Sequence, residues 1–357
     1  MMNKEAFSKK YPYALYLIWI RTIHMPCTVV VGGFYGDEGK GKILAYMSLR
    51  DSPKIAVRGG VGANAGHTFV HENNEYKVRM LPSAILNEST KLLIGPGVLL
   101  TPNILTSEIE KYSTGNRTFV DGHCGIVEER HIELDVGSGH LKKTVGTTGT
   151  GTGPANADRA LRTLKLAEDM PMLTQYLDDV SKTVNETIEE GSPVLIEGTQ
   201  GTYLSLYHGI YPFVTSKDVT ASGICSDIGL GPKKVDNVLV VFKSYVTRVG
   251  SGPLPEEVTS QEALLKGWTE YGSVTGRLRR SSPFNMDLAK RAVMLNSATQ
   301  LAITKMDVLF PSCAGIRHFS KLTADAKKFI LNVEEETGVP VVLIGTGQEV
   351  YDVIDLR

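Results

Sequence analysis

Short apolar runs rich in Val, Ile and Leu recur along the chain at 28–31, 55–57, 92–94, 194–196, 238–242, 301–304 and 339–344. They are continuous and do not alternate with polar residues, which is the pattern of strands buried on both faces of a parallel sheet. Helical spacing lies between several of them. Ala326, Phe329, Ile330 and Val333 fall at i, i+3, i+4 and i+7, and Gly338 and Pro340 stop that helix before the next run. A second helix is predicted over 286–296, with Met286, Ala289 and Val293 on one face, and a third over 43–50. Strands alternating with helices predict an α/β fold: a large single domain with a mostly parallel or mixed central β-sheet, flanked by helices and carrying loop-borne subdomains. Residues 25–357 are assigned to this domain and 1–24 to an N-terminal extension of unknown role. The apolar run at 14–20 within the extension is far shorter than a membrane span and is followed by no small-residue cleavage site, so Met25 is an alternative start.

Composition narrows the function. Among 357 residues, 38 Lys and Arg balance 39 Asp and Glu, which argues against a nucleic acid as main partner. No segment predicts a membrane protein. Cys27, Cys124, Cys225 and Cys313 stand far apart without a C-x-x-C pair, so reduced thiols in a cytoplasmic protein are expected, and no zinc ribbon. The 36 glycines show no collagen period and suggest backbone that approaches a ligand closely.

Candidate chemistry sits where the apolar runs end. The first run leads into Gly32 and Gly33, then Gly36-Asp37-Glu38-Gly39-Lys40-Gly41-Lys42, then a helix. A strand, a glycine-rich turn and a helix N-terminus together make an anion site. It is not a P-loop, because five residues separate Gly33 from Gly39 and Gly41 stands where a Ser or Thr would hold magnesium. Asp37 and Glu38 inside such a loop make sense if one holds a metal or acts as a base. The second run ends in Arg58-Gly59-Gly60, followed by Asn64-Ala65-Gly66-His67, with polar groups set among glycines beyond a strand. Lys305-Met306-Asp307 follows the run at 301–304 and has the form of a guanine reader, in which a carboxylate accepts both N–H groups of the base edge. Arg277, Arg279 and Arg280 form a basic cluster, read either as a solvated loop or as a carboxylate or phosphate binder. Gln200 follows another run, and the Gly- and Thr-rich stretch 135–153 reads as a loop over a site or as a surface linker.

Taken together these segments resemble adenylosuccinate synthetase, from about Cys27 to the C-terminus. The resemblance is carried by 36–42, 64–67, Gly146-Thr147-Thr148-Gly149, 198–202, Tyr211-Pro212-Phe213-Val214-Thr215, 275–277 and 304–308, in the family's order. It implies GTP-dependent ligation of IMP and L-aspartate through a 6-phosphoryl-IMP intermediate, with Mg²⁺ as cofactor. Asp37, His67 and Gln200 are then catalytic, Asp37 as the base on N1 of IMP and His67 as the acid at the transferred phosphoryl group. Mg²⁺ falls to Asp37 and the Gly66 carbonyl. GTP falls to Gly36, Asp37, Glu38, Gly39, Lys40, Gly41, Lys42, Arg279, Lys305, Met306, Asp307, Gly345, Thr346 and Gly347. IMP falls to Asn64, Ala65, Gly66, His67, Thr148, Gln200, Thr215 and Arg277, with Arg162 reaching the neighbouring subunit of a homodimer. Aspartate falls to Ser273, Val274, Thr275, Gly276 and Arg277. Thr150 stands where many relatives carry Arg, 204–208 is less acidic than in the family, and the short 309–337 stretch resembles the compact archaeal type. A side branch acting on a guanine nucleotide lacks the catalytic Asp, so Asp37 favours IMP.

Overall fold

The structure, a computed structural model, describes residues 27–272 and 276–357. The extension at 1–24 and the expected aspartate-loop residues Ser273, Val274 and Thr275 lie outside the described residues.

Each apolar run becomes a strand of one ten-stranded sheet. In chain order these are β1 (Cys27–Gly32), β2 (Ile55–Arg58), β3 (Lys91–Ile94), β4 (Thr118–Asp121), β5 (Leu177–Asp178), β6 (Val194–Glu197), β7 (Asn237–Lys243), β8 (Gln300–Thr304), β9 (Val341–Gly345) and β10 (Val353–Asp355). Across the sheet they run β10-β9-β8-β7-β1-β6-β2-β3-β4-β5. All neighbours are parallel except β10, which returns antiparallel along β9. Alternate residues feed two separate cores. Val29 and Val31 of β1 and Val238, Val240 and Phe242 of β7 pack on one face, while Val30, Leu239 and Val241 pack on the other. Both faces are covered, which is why the runs do not alternate. Each such side chain contributes about 1.5–3 kcal/mol by leaving water.

The 286–296 helix forms as Met286–Asn296 and the 326–333 stripe as Ala324–Thr337, ended by Gly338 in the left-handed region (φ 69°). Ala289, Ala292, Ala326, Ile330 and Val333 from these two helices join the first core. On the opposite face lies α1 (Lys40–Asp51), burying Ile43, Leu44 and Ala45. The patterns left β4, β5 and β10 unannounced. They lie at or next to the sheet edges; β5 and β10 span two and three residues, and β4 (Thr118–Asp121) has a polar residue at each end with only two apolar ones between, so none shows an apolar run.

Register matters most at the carboxyl ends. Val30 of β1 pairs with Glu197 of β6, Glu197 with Arg58 of β2, and Lys243 of β7 with Thr304 of β8. Two pairs of strands flanking β1, β8 with β7 and β6 with β2, therefore deliver charged or polar residues to the carboxyl edge of the sheet, where ligands bind in open α/β folds.

Candidate active site

The loop after β1 is held by its own side chains. Glu38 is fully buried and accepts from the Phe34 amide (2.9 Å) and the Gly36 amide (2.8 Å). Its other oxygen pairs with Lys40 Nζ at 3.0 Å, and Lys40 also donates to the Gly36 carbonyl (3.1 Å). Both side chains thus shape the loop from within. No side chain caps α1, whose N-cap is Gly39 at φ 82°. Its leading amides suit an anion. Gly36 has φ 98°, and a Cβ there would lie 2.8 Å from Gln200 Cα. A Cβ at Gly41 would lie 2.7 Å from His67 Cβ. The absence of a P-loop Ser or Thr at this position is what lets the histidine pack on the helix.

Asp37 stands at the mouth of this loop, beside a cleft of about 370 Å³. Its Oδ2 accepts from the Thr247 hydroxyl and lies 3.2 Å from Arg279 Nε. Arg279 also pairs with Glu270.

His67 opens a β-hairpin, His67–His71 with Asn74–Val78. Its Nδ1 donates to Glu197 Oε1, and Glu197 is gripped in turn by Arg58 Nη1 (2.8 Å), the Ser83 amide (2.6 Å) and the Ser83 hydroxyl (2.9 Å). Burial penalises the charge on Glu197, but the His67 ring, the Arg58 guanidinium and the Ser83 amide hold its carboxyl below the usual range. Burial pushes the His67 ring down, outweighing the pull of Glu197. The carboxylate therefore fixes the ring orientation, and Nε2 is left buried without a protein partner on the wall of the cleft. Carboxylate–histidine pairs orient imidazoles in this way in many active sites.

Gln200 sits in the left-handed region at φ 54°. Its Oε1 accepts from the Thr199 hydroxyl, which itself accepts from the Val61 amide at 3.0 Å. That leaves Gln200 Nε2, a donor, buried and unpartnered. Asn64 Oδ1 is orphaned likewise, while its Nδ2 lies 3.5 Å from Thr215 Oγ1. Unsatisfied buried polar atoms are costly, and their concentration at one cleft marks places where a ligand completes the bonding. Gly36, Asp37, Asn64, Ala65, Gly66, His67, Thr148, Gln200, Thr215, Arg277 and Arg279 all line it. Arg277 donates to the Gly146 carbonyl (2.9 Å), joining the basic loop to the Gly- and Thr-rich stretch. That stretch folds into the end of the Glu129–Gly137 helix, a π-helical turn at Leu141–Val145 and the start of the Thr152–Leu161 helix, and supplies one side of the cleft. Gly276 is exposed beside it with φ 64°.

Lys305, Met306, Asp307, Gly345, Thr346 and Gly347 gather at the ends of β8 and β9 and are not part of that cleft wall. Lys305 is left-handed (φ 60°) and starts a short helix, Met306 is buried, and Asp307 Oδ1 is buried without a partner. Thr346 is buried, with its hydroxyl on the Ile316 carbonyl at 2.7 Å. Lys42 links this region to the loop after β1 by donating to the carbonyls of Gly347 (2.6 Å) and Asp352 (2.8 Å). Burial lowers its pKa to about 8 against the pull of Asp352 and Asp307. Arg162 lies elsewhere, exposed in a shallow depression with His123 and Arg159.

Glu197, Arg58, Ser83, Thr247 and Glu270 carry no role in the sequence reading. Glu197 and Arg58 each end a buried strand with a charge, a legible signal. Glu270 has no comparable local mark. Among the described residues, no group of three or more His, Cys, Asp or Glu side chains could hold a metal. The donors beside the loop after β1 are the Asp37 carboxylate and backbone carbonyls, with Asp135 on the cleft wall already accepting from the Gly151 amide. That set fits a Mg²⁺ ion, which takes most of its oxygens from phosphates and water. The four cysteines are buried and free. No helix among the described residues is long and apolar enough to cross a membrane.

Known proteins resemble this chain in sequence and in fold. The family model for adenylosuccinate synthetase matches residues 29–170 and 163–312. The adenylosuccinate synthetase of Archaeoglobus fulgidus is 54% identical over 333 residues, covering 93% of this chain and 99% of its own. That of Methanococcus vannielii is 52% identical over 336 residues with the same coverages. The structure of the fully ligated enzyme from Plasmodium falciparum superposes with a TM-score of 0.85 at 25% identity, over 93% of this chain and 100% of that one. The cyanophage S-2L succinoaminodeoxyadenylate synthetase, bound to dGMP and dATP, gives a TM-score of 0.75 at 27% identity over 93% and 95%. With this sheet, this cleft and matches that run nearly the full length of its relatives, the chain belongs to the adenylosuccinate synthetases, the ligases that join IMP to aspartate using GTP.

Proposed function

We propose that this chain carries out its ligation with Asp37 as base, Gln200 as a donor to the purine O6, and His67 as the acid at the transferred phosphoryl group. The observation that supports this is the meeting of the Asp37 carboxylate with two unpartnered nitrogens, Gln200 Nε2 and His67 Nε2, at one cleft. Asp37 takes the N1 proton of IMP, and the charge moves to O6, where the Gln200 amide stabilises it. O6 then bonds to the γ-phosphorus of GTP as the bond to the GDP oxygen breaks. Burial keeps the His67 ring neutral by itself, so the charge of the arriving phosphates draws a proton onto Nε2; Glu197 steadies the resulting imidazolium while Nε2 donates to the phosphoryl oxygens. The aspartate amine next attacks C6 of 6-phosphoryl-IMP, and phosphate leaves with the former O6.

Asp37 and the Gly66 carbonyl are the residues to hold Mg²⁺, which when bound neutralises charge on the phosphates. Asn64, Ala65, Gly66, Thr148, Thr215 and Arg277 surround IMP, and the 273–277 loop receives the aspartate carboxylates. The α1 amides together with Lys42, Arg279, Lys305, Asp307 and 345–347 hold GTP, with the Asp307 carboxylate reading guanine. Arg162 is exposed and outside its own cleft, which supports a homodimer in which it reaches the neighbouring IMP phosphate. A cytoplasmic setting suits four free thiols. The test is positional isotope exchange in GTP labelled at the β,γ-bridge, with IMP present and aspartate absent. Scrambling by the native chain and none by Asp37→Asn supports the phosphorylated intermediate. Scrambling undiminished in Asp37→Asn overturns the role of Asp37.

A further inference from the structure

Glu270 has no part in the chemistry assigned above, yet three cations from three segments aim at it. Lys243 ends β7 and places Nζ 2.8 Å from Glu270 Oε2. Arg279 pairs with the same oxygen through Nη1, and its backbone amide donates to the Glu270 carbonyl at 2.9 Å. Lys305, just after β8, brings Nζ to 3.9 Å from Oε1, on which the Tyr245 hydroxyl also donates. Burial disfavours the Glu270 charge, but Lys243, Lys305 and Arg279 overcome it and hold the carboxyl at about 2.

Two arms lead from Glu270 to Asp37. In one, Arg279 spans both carboxylates, with Nη1 on Glu270 and Nε 3.2 Å from Asp37 Oδ2. In the other, Lys243 Nζ donates to Glu270 and also to Thr247 Oγ1 (2.7 Å), whose hydroxyl donates to Asp37. Lys243 is 1% exposed, so its charge has no recourse to water. Burial pushes its ammonium down, and the carboxylates that oppose this are Asp37 and Glu270. With Glu270 neutral, Asp37 is the remaining carboxylate for two buried cations. A carboxylate drawn onto both cations would leave the orientation that the Thr247 hydroxyl gives it.

We propose that Glu270 is a positioning residue that shares Lys243 and Arg279 with Asp37, holding both cations in place so that the Asp37 carboxylate keeps its orientation on Thr247 and Arg279 is presented to GTP. This rests on the roles given to Asp37 and Arg279 above. The test compares steady-state kinetics of Glu270→Gln, Lys243→Met and the double variant, with thermal unfolding as a control for folding. Glu270→Gln is expected to lower kcat at least 30-fold and to raise KM for GTP about tenfold, leaving KM for IMP within about twofold. Adding Lys243→Met removes the surplus cation and is expected to restore kcat at least fivefold over Glu270→Gln. For a merely structural glutamate, removing the stranded cation restores thermal stability and leaves kcat of the folded enzyme unmoved. A Glu270→Gln variant with native kcat, or a folded double variant no faster than Glu270→Gln, overturns the proposal. Should Glu270→Gln not fold, the double variant is compared with Lys243→Met alone, and a further drop in kcat beyond about threefold overturns it equally. Arg279→Leu separates the two levels. An unchanged KM for GTP there refutes the assignment of Arg279 to GTP, while rescue by Lys243→Met still reports on Glu270 and Asp37.

Discussion

A buried glutamate and a half-buried one organise this site in different ways. Glu197 ends a central strand, is 1% exposed, and is gripped by a strand arginine, a backbone amide and a serine hydroxyl. Apart from the His67 ring itself, its partners belong to the edge of the sheet or the short segment laid against it, so it fixes that ring in one orientation. Glu270 lies between a short helix and the basic loop, with its side chain 17% exposed, and balances three long cationic side chains. Its partners are arms with many rotatable bonds, and one of them also reaches Asp37. The first carboxylate aims an atom. The second distributes charge among groups that must reorganise when an anionic nucleotide arrives, a task suited to a loop and not to a strand.

The contrast has consequences of graded size. Both glutamates serve one bond-making step only if Asp37 is the base. Asp37→Asn is therefore expected to lower kcat by about 10³-fold or more with an unchanged unfolding transition, and steady-state turnover close to native would dissolve the comparison. Next, Glu270 is held at about 2 against an ordinary 4.5, so its stabilisation is present above pH 4.5 and lost as pH falls towards 2. That shift corresponds to about 3 kcal/mol of stability. Acid-unfolding curves of Glu270→Gln should flatten by roughly that amount in this window, and a slope equal to the native one would deny Glu270 its cation clamp. Glu197→Gln is expected to reduce kcat about 100-fold while the Michaelis constants stay within about twofold, because the ring stays in place with the wrong hydrogen-bond partner. If it changes KM for GTP as strongly as Glu270→Gln does, the division between aiming and charge-sharing fails. The smallest effect concerns neither glutamate. Asp307→Asn should cut the preference for GTP over ITP by about tenfold in competition assays, and an unaltered ratio removes Asp307 from the guanine contact.

Much of this was legible in one dimension. Continuous Val- and Ile-rich runs marked seven of the ten sheet strands because a strand covered on both faces has no polar side to show. Glycine-rich turns at the ends of those runs pointed to Asp37, Asn64, His67 and Gln200, since close backbone approach demands residues without side chains. The missing P-loop hydroxyl was visible as Gly41, but its reason, the packing of His67 against α1, was not. Nor was the inward pairing of Glu38 with Lys40, which reads in the chain as two more charges beside a phosphate.

What the linear chain determined by itself was which segments are strands and where glycine turns and polar residues follow them, because local spacing dictates which segments are buried and where the backbone must bend. What only the tertiary structure decided was which charges meet. Glu197 and His67 are 130 positions apart, and Thr247 and Asp37 210 apart. Such pairs follow from parallel register and crossover connections, which bring strand ends together irrespective of separation along the chain. A carboxylate's role here is set by the cations that surround it, and those arrive from elsewhere in the fold.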